Sequence, residues 1–183
     1  MNTNVVYTTL DSPIGELLLT GDGVALHRLS MQEGRHPIPI DPRWERREQA
    51  FGHVISQLSE YFDGTRQSFD VPLALDGNQF ELRVWERLRQ IPYGETVSYG
   101  EIAREIGQPT AARAVGLANG RNPVAVIVPC HRVIGADGTL TGYGGGLWRK
   151  QWLLDHERAH AGVRGQLALR VEPRRIEAPA GAG

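Results

Sequence analysis

The residues most able to do covalent chemistry lie in the stretch VAVIVPCHRVIG, residues 124–135. It holds the only cysteine of the chain, Cys130, followed directly by His131 and Arg132. A neighbouring base or cation favours the thiolate, the form of cysteine that attacks carbon. A free cysteine after an apolar run is also typical of an inert buried side chain. The pattern therefore admits two interpretations, a nucleophile and a buried spectator.

The segment before Cys130 decides whether the histidine can act on it. VAVIV has the length and composition of a fully buried strand, bracketed by Pro123 and Pro129. Successive side chains of a strand point to opposite faces, so His131 can cooperate with Cys130 only if the chain turns after Pro129. Proline favours such a turn.

Two segments beyond the cysteine could complete a site. GYGGGLW, residues 142–148, predicts a flexible loop through which backbone can approach a ligand, since it lacks the Lys and Ser or Thr of a phosphate-binding loop. WRKQWLLDHERAH, residues 148–160, predicts a helix in which Glu157 lies about one turn beyond Leu153. The segment PCHRV lacks the second cysteine and the HxE sequence of a zinc deaminase, which argues against metal-activated deamination.

A pair of helices is predicted upstream, in TVSYGEIAREIGQPTAARAVGLANG, residues 96–120. Ser98 stands three residues before Glu101, a capping box that predicts a helix start, and Gly107 predicts its end. Two helices joined by about four residues resemble a helix-turn-helix, but an ordinary α-hairpin has the same spacing. In the second helix Arg113 projects from a face of small residues, which lets a backbone approach another surface closely. Those small residues are Ala111, Ala112, Ala114, Gly116 and Ala118.

The N-terminal part is predicted to form a small sheet and a helix. NVVYTTL, GELLLTG and VALHRLSM are short strand-like stretches separated by turn sequences, which predicts an antiparallel meander. From Trp44 to Phe62 apolar residues recur at helical spacing, so one amphipathic helix is expected there. SFDVPLAL predicts a further strand, and GNQFELRVWERLRQIP predicts a helix stopped by Pro92. We place a domain boundary near residue 77.

Composition limits the class of protein. A single cysteine cannot form an intramolecular disulfide, and the N-terminus lacks a basic head followed by an apolar stretch, so a cytoplasmic location is expected. The formal net charge is −1, but residues 1–78 carry 6 Arg and 11 acidic residues, whereas residues 79–160 carry 10 Lys or Arg and 8 acidic residues. Any affinity for DNA therefore belongs to the second half. Residues 161–183 show no sustained period and are expected to be a disordered tail.

Three runs resemble one known family in unbroken register over about residues 78–158. IPYGETVSYGEIA, AARAVGLANGRNPVAVIVPCHRVIG and LTGYGGGLWRKQWLLDHE are similar to the O6-alkylguanine-DNA alkyltransferases, also called methylated-DNA-protein-cysteine methyltransferases. The resemblance implies an α/β (α+β) fold. Residues 1–77 would form a ribonuclease-H-like antiparallel sheet domain, and residues 78–160 a mainly helical domain with a helix-turn-helix.

The same resemblance implies DNA repair by direct reversal of damage. The protein would bind duplex DNA, flip an O6-alkylguanine out of the stack and move the alkyl group irreversibly to Cys130, once per molecule. His131 would deprotonate the thiol through a bound water, Glu157 would orient His131, and Asn122 would tie the active-site segment to the helix-turn-helix. Tyr99 would crowd the target's phosphate and help to protonate the departing guanine.

Further positions follow from the resemblance. Arg113 would fill the gap that the flipped nucleotide leaves, and the surrounding DNA contacts would come from Tyr99, Gly100, Ala112 and Gly116. The backbone carbonyls of Cys130 and Val133 would accept from the exocyclic amine of guanine. The remaining pocket residues would be Tyr143, Gly144 and Gly145.

The chain departs from the family's pattern at several positions. Gly144 stands where the family often has serine, so a backbone amide of Gly144 or Gly145 would have to replace the hydroxyl contact to the guanine oxygen. Asn119 and Ala125 stand where some members have larger apolar residues. The cysteine-rich zinc site near the N-terminus of some members is absent from the sequence, and no metal or cofactor is expected.

The expected partner is double-stranded DNA containing O6-alkylguanine, with O4-alkylthymine as a further candidate lesion and no membrane partner. We expect a monomer in solution, and the sequence leaves cooperative binding along DNA open. One alternative is a non-enzymatic module that only recognises alkylated DNA, as in relatives without the acceptor cysteine. A Cys-His hydrolase is another alternative, since the same side chains serve acyl transfer.

Overall fold

A computed structural model describes residues 5–34 and 37–162. Its strands are β1 Val6–Leu10, β2 Leu17–Gly21, β3 Leu26–Met31, β4 Glu45–Arg46, β5 Val97–Ser98 and β6 Val133–Ile134. Its α-helices are α1 Gly52–Phe62, α2 Gln79–Arg89, α3 Tyr99–Glu105, α4 Ala112–Gly120 and α5 Leu147–His160. Two short 3-10 helices cover Glu48–Phe51 and Cys130–Arg132. All but the first two residues of the tail expected at 161–183 lie outside the described residues.

The N-terminal sheet has the order β3-β2-β1-β4. β1 pairs antiparallel with β2, and β2 pairs antiparallel with β3, so the predicted meander is confirmed. β2 is buried along its whole length, which places it at the centre of the N-terminal core. The fold as a whole is the expected mixture, an antiparallel-rich sheet followed by a helical C-terminal half.

The helix expected from Trp44 begins later, at Gly52, after the 3-10 helix at Glu48–Phe51. The backbone before it is used by the sheet, because Glu45 donates to the Val5 carbonyl at 3.0 Å and pairs in the parallel strand β4. Strand pairing at this point prevents the helix from starting at Trp44. The helix is followed by Gly64 at a positive φ of 75°, a conformation that favours glycine after a helix end.

The prediction of a strand at SFDVPLAL is wrong. The segment forms one isolated parallel bridge, between Leu26 and Leu73. At Asp70 the backbone amide and carbonyl both pair with the side-chain amide of Gln57, at 2.8 Å each, and Pro72 has no amide to donate. Side-chain pairing and proline therefore replace the ladder that a strand would need.

The C-terminal core is built on α2, which packs against α4 and against the 3-10 helix at Cys130–Arg132. Asn78 caps α2 with its side chain and Glu81 reaches back to the Asn78 amide, as in a capping box. Trp85 of α2 is buried and donates from Nε1 to the Ala118 carbonyl at 2.8 Å. This bond fixes α4 against the core and leaves its opposite face exposed.

In the part of the chain that the structure describes, no helix is long and apolar enough to cross a membrane.

Candidate active site

The helix pair predicted upstream of the cysteine is formed by α3 and α4. The predicted capping box is present, with Glu101 donating from its amide to Ser98 Oγ at 3.2 Å and accepting from the Ser98 amide at 2.7 Å. Gly107 ends the first helix at a positive φ of 75°. The two helices pack on each other, and Arg113 near the start of α4 is exposed. The exposed face also carries Leu117, which is 60% exposed, so the face is not made of small residues alone.

The segment VAVIV is buried, as its composition predicts, but it is not a strand. It forms a turn in which Val128 donates to the Val124 carbonyl at 3.0 Å, and Val126 lies at a φ of 69°. That region is rarely occupied by β-branched residues. One isolated bridge between Leu29 and Val124 ties the turn to β3. Asn122 holds the same turn, donating to the Val128 carbonyl at 2.8 Å and accepting from the Val124 amide.

The turn required after Pro129 is present as the 3-10 helix Cys130–Arg132. In this conformation successive side chains no longer alternate between two faces, so Cys130 and His131 both lie in the interior. From the sequence, Arg132 is a candidate cation that could favour the Cys130 thiolate. Arg132 instead donates to the Ile91 carbonyl at 2.6 Å and pairs with Glu157.

Glu157 lies at the centre of a buried hydrogen-bonded cluster. Its Oε1 accepts from His131 Nε2 at 2.7 Å, from the Tyr61 hydroxyl at 2.8 Å and from Arg132 Nη2 at 2.9 Å. Its Oε2 accepts from Arg132 Nε at 2.8 Å and from the Gly94 amide at 3.1 Å. Because an ionised carboxylate can only accept, His131 Nε2 must donate, which leaves His131 Nδ1 as an acceptor. Nδ1 is buried and has no protein partner among the described residues.

The environment sets the resting protonation states of the site. Burial raises the pKa of the Cys130 thiol, against the opposing charge of Lys150. Burial lowers the pKa of His131, against the opposing effect of Glu157. Burial alone would raise the pKa of Glu157, but hydrogen bonds and charges from His131 and Arg132 hold it well below its ordinary value. The resting site therefore contains a neutral thiol, a neutral imidazole and a carboxylate.

Cys130 opens onto a cavity of about 170 Å³. Among the residues expected in a substrate pocket, Tyr143, Gly144 and Gly145 line this cavity, as do Asn119 and Ala125 at the positions that depart from the family's pattern. Val133 is fully buried behind the cavity, and its carbonyl accepts from Lys150 Nζ at 2.6 Å. Strand β3 forms another part of the wall through Ser30 and Met31, so both halves of the chain enclose the cavity.

Tyr99 links the cavity loop to the helix pair. Its hydroxyl accepts from Thr141 Oγ1 at 3.1 Å. Its ring lies over Gly116 of α4, where an added Cβ would be 3.8 Å from the ring. Gly100 and Ala112 are half-buried at the starts of the two helices. Tyr99 therefore lies between α4 and the segment that contains Thr141.

Four residues of the site were missed by the sequence analysis: Tyr61, Gly94, Arg132 as a partner of Glu157, and Lys150. A signal existed for Lys150, because it shares the spacing i, i+3, i+4, i+7 with Leu153, Leu154 and Glu157 and so belongs to the buried face of α5. Lys150 Nζ donates to the Val133 and Thr141 carbonyls. The other three are brought to Glu157 by long-range packing.

The fold and the buried Cys-His-Glu cluster beside a helix-turn-helix are those expected of a DNA-binding protein in which the cysteine is the candidate nucleophile. Two family models match the chain. The model described as 6-O-methylguanine DNA methyltransferase, DNA binding domain, matches residues 79–159, and the one described as 6-O-methylguanine DNA methyltransferase, ribonuclease-like domain, matches residues 5–75. The chain belongs to the 6-O-methylguanine DNA methyltransferase family.

Individual relatives agree with this assignment. A methylated-DNA-protein-cysteine methyltransferase of Mycolicibacterium paratuberculosis is 55% identical over 157 residues, covering 86% of this chain and 94% of the relative. One from Methanosarcina acetivorans is 52% identical over 151 residues, covering 82% and 97%. The crystal structure of Mycobacterium tuberculosis OGT in complex with DNA superposes with a TM-score of 0.80 at 55% identity, covering 85% of this chain and 94% of that one.

Proposed function

We propose that this protein repairs DNA by taking the alkyl group from the O6 atom of an alkylated guanine and transferring it irreversibly to Cys130. One observation carries the proposal: a buried thiol opens onto a cavity beside the helix-turn-helix, and the residue after it is a histidine oriented by a carboxylate. The nucleophile, base and orienting group have the arrangement of a catalytic triad.

Proton removal is the first step. Because burial keeps the pKa of Cys130 raised, the thiol needs a base before it can attack. His131 Nδ1 is free to accept the proton through one bridging water molecule, while Nε2 stays bonded to Glu157. The positive charge that forms on His131 is stabilised by the Glu157 carboxylate.

Alkyl transfer is the second step. The sulfur of Cys130 forms a bond to the alkyl carbon as the bond from that carbon to O6 breaks, and the bonding electrons stay with guanine. The guanine then takes up a proton, for which the Tyr99 hydroxyl is the proposed donor. The product is a thioether, and none of the described residues around Cys130 would cleave it, so one molecule repairs one lesion.

The DNA must present the base outside the helix for this reaction. Flipping a base costs a few kcal/mol of stacking and pairing, which contacts in the pocket and in the vacated stack must offset. We propose that α4 approaches the minor groove with its small residues Ala112 and Gly116, together with Gly100 at the start of α3. Arg113 would then fill the vacated position, and Tyr99 would crowd the phosphate of the flipped nucleotide. This mode reads shape, which suits repair in any sequence.

We assign DNA binding and alkyl transfer to a domain over residues 78–160. An N-terminal domain over residues 1–77 packs against it and contributes to the cavity wall. A nucleophilic thiol needs a reducing compartment, which supports a cytoplasmic location. The groups of the site come from one chain, which supports action as a monomer. O4-alkylthymine is a second lesion to be tested with the same assay.

The test is intact-protein mass spectrometry after mixing with duplex DNA that contains a single O6-methylguanine, followed by peptide mapping. A stoichiometric gain of one methyl group on the peptide containing Cys130 is expected. The matched control is Cys130→Ala, which should still bind the duplex and gain no mass. Binding of the lesion by the unchanged protein without any mass gain would reject transfer and favour the recognition module.

A further inference from the structure

A buried arginine joins the wall of the cavity to the N-terminal half of the chain. Arg149, in the first turn of α5, is 3% exposed. Its Nη1 donates to the carbonyl of Gly145, which lines the cavity beside Cys130, at 2.7 Å. Its Nε donates to the Ile14 carbonyl, and Nη1 also donates to the Glu33 carbonyl at 3.3 Å. One guanidinium therefore bonds the cavity wall and two backbone segments of the N-terminal half.

The N-terminal half is shaped to receive this side chain. Gly15 lies at a positive φ of 93°, and a Cβ added there would be 2.9 Å from Arg149 Nη2. Only glycine avoids both the strain of this conformation and the close contact. The Glu33 carboxylate supplies the opposite charge, 3.2 Å from Nη2, and the Trp148 ring lies over the guanidinium with its centroid at 4.3 Å. A buried guanidinium with these partners is held in one position.

The cavity wall needs support from outside, because residues 142–146 are Gly-Tyr-Gly-Gly-Gly. Glycine loses more conformational entropy on ordering than any other residue. Within this segment the Gly146 amide donates to the Tyr143 carbonyl at 2.9 Å, and the Gly145 carbonyl is bonded to Arg149. Misplacement of a substrate by about 1 Å can slow a reaction by about 100-fold. The place of this segment beside Cys130 therefore matters for the rate.

We propose that Arg149 is a positioning residue for alkyl transfer, which holds the glycine-rich wall, residues 142–146, against the N-terminal half. The inference rests on the proposed alkyl transfer. It gives the N-terminal half a part in the reaction, although the proposed reacting groups Cys130, His131 and Tyr99 all lie in the other half. Loss of Arg149 should release the wall and slow the transfer. It should leave DNA binding intact, because none of the partners of Arg149 named above lies in α3 or α4.

The experiment measures single-turnover methyl transfer from a duplex with one O6-methylguanine, at saturating protein, in three variants. Arg149→Met keeps the length of the side chain and removes its donors, and it should lower the limiting rate about 10- to 100-fold. Arg149→Lys keeps the charge but replaces separate nitrogen donors with a single ammonium, so it should be slowed about fivefold. The matched control is Arg158→Met, which removes an exposed arginine of the same helix and should react at the unchanged rate.

Three further readouts separate positioning from a loss of folding. Affinity for an undamaged duplex, measured by fluorescence anisotropy, should be the same in all three variants. Reaction with the free base O6-benzylguanine should slow as much as reaction with the duplex, since the wall encloses the base in both cases. Cleavage by chymotrypsin after Tyr143, mapped by mass spectrometry, should be faster in Arg149→Met, because the wall is no longer bonded to α5.

An unchanged limiting rate in either Arg149 variant would overturn the inference, and so would an affinity for undamaged duplex that falls together with the rate. If circular dichroism shows that Arg149→Met does not fold, Arg149→Lys decides by the same measurements. Absence of transfer by the unchanged protein would instead overturn the proposed function itself.

Discussion

Replacing Tyr61 with phenylalanine tests whether the N-terminal half stabilises the active site. The side chain is fully buried in α1, and its hydroxyl donates to Glu157 Oε1 at 2.8 Å. Burial raises the pKa of Tyr61 well above its ordinary value, so the hydroxyl remains a donor at any working pH. The substitution keeps the ring and removes this one bond.

The magnitude follows from the other partners of Glu157. Hydrogen bonds to charged groups contribute about 1.5–3 kcal/mol. Since Oε1 retains His131 and Arg132 as donors, the carboxylate is not left bare, and we expect a loss of about 2 kcal/mol in the free energy of unfolding. For a chain of this size that corresponds to a melting temperature lower by about 4–8 °C. The rate of methyl transfer should change little, because Arg132 and Gly94 still hold Glu157.

Tyr93→Phe is a matched control for this measurement. The Tyr93 hydroxyl is buried without a partner in the described structure, and its ring lies beside Arg132, which a phenylalanine ring would preserve. Removing it should change the free energy of unfolding by less than about 0.5 kcal/mol. Thermal unfolding of both variants is the assay. If the two variants lose equal stability, the bond between Tyr61 and Glu157 contributes nothing, and the reasoning is refuted.

Four further predictions concern catalysis, pH dependence and DNA binding. Glu157→Gln should slow methyl transfer at least about 100-fold, because an amide no longer fixes the His131 tautomer. The rate is measured in a single turnover on folded protein, and an unchanged rate would exclude the orienting role of Glu157. Because burial lowers the pKa of His131, the rate should stay level as pH falls through 6.5 and decline only below it, whereas a midpoint at 6.5 would contradict the buried neutral base. The folded-state pKa values of His131 and Glu157 both lie below their ordinary values of 6.5 and 4.5, so the melting temperature should decline as pH falls below 6.5, and further below 4.5. Arg113→Ala should impair repair of duplex DNA far more than reaction with the free alkylated base, and equal losses in the two assays would contradict its role in the duplex.

Local patterns in the sequence predicted the elements whose ends are set by neighbouring residues. The start of α3 follows from Ser98 and Glu101, and its end from Gly107, because capping bonds and positive φ are properties of a few adjacent residues. The meander and α2 are predicted from local sequence too, by the turn residues between the strands and by Pro92 after the helix. The family resemblance added the possible roles of Cys130 and His131, which spacing alone left open.

Elements whose conformation depends on residues distant in the sequence could not be predicted from local patterns. The buried turn at residues 124–128 has the composition of a strand, and what distinguishes it is pairing with Leu29 and the positive φ of Val126. The delayed start of α1 depends on the hydrogen bond from the Glu45 amide to the Val5 carbonyl, directly before β1. Tyr61 gave no signal for a role in the site, because a tyrosine at an apolar helix position is usual in any core.

The cluster around Glu157 limits which amino-acid substitutions this protein can accumulate during evolution. Tyr61, Gly94 and the adjacent pair His131 and Arg132 come from three separate stretches of the chain, yet each residue depends on the same carboxylate. A mutation of Glu157 alone would leave the buried guanidinium of Arg132 without its charged partner. Substitutions at these two positions are therefore expected to occur together, one compensating for the other. Positions 132 and 157 are therefore expected to covary among descendants of this chain, whereas position 61, whose loss leaves Glu157 with its other donors, can change alone.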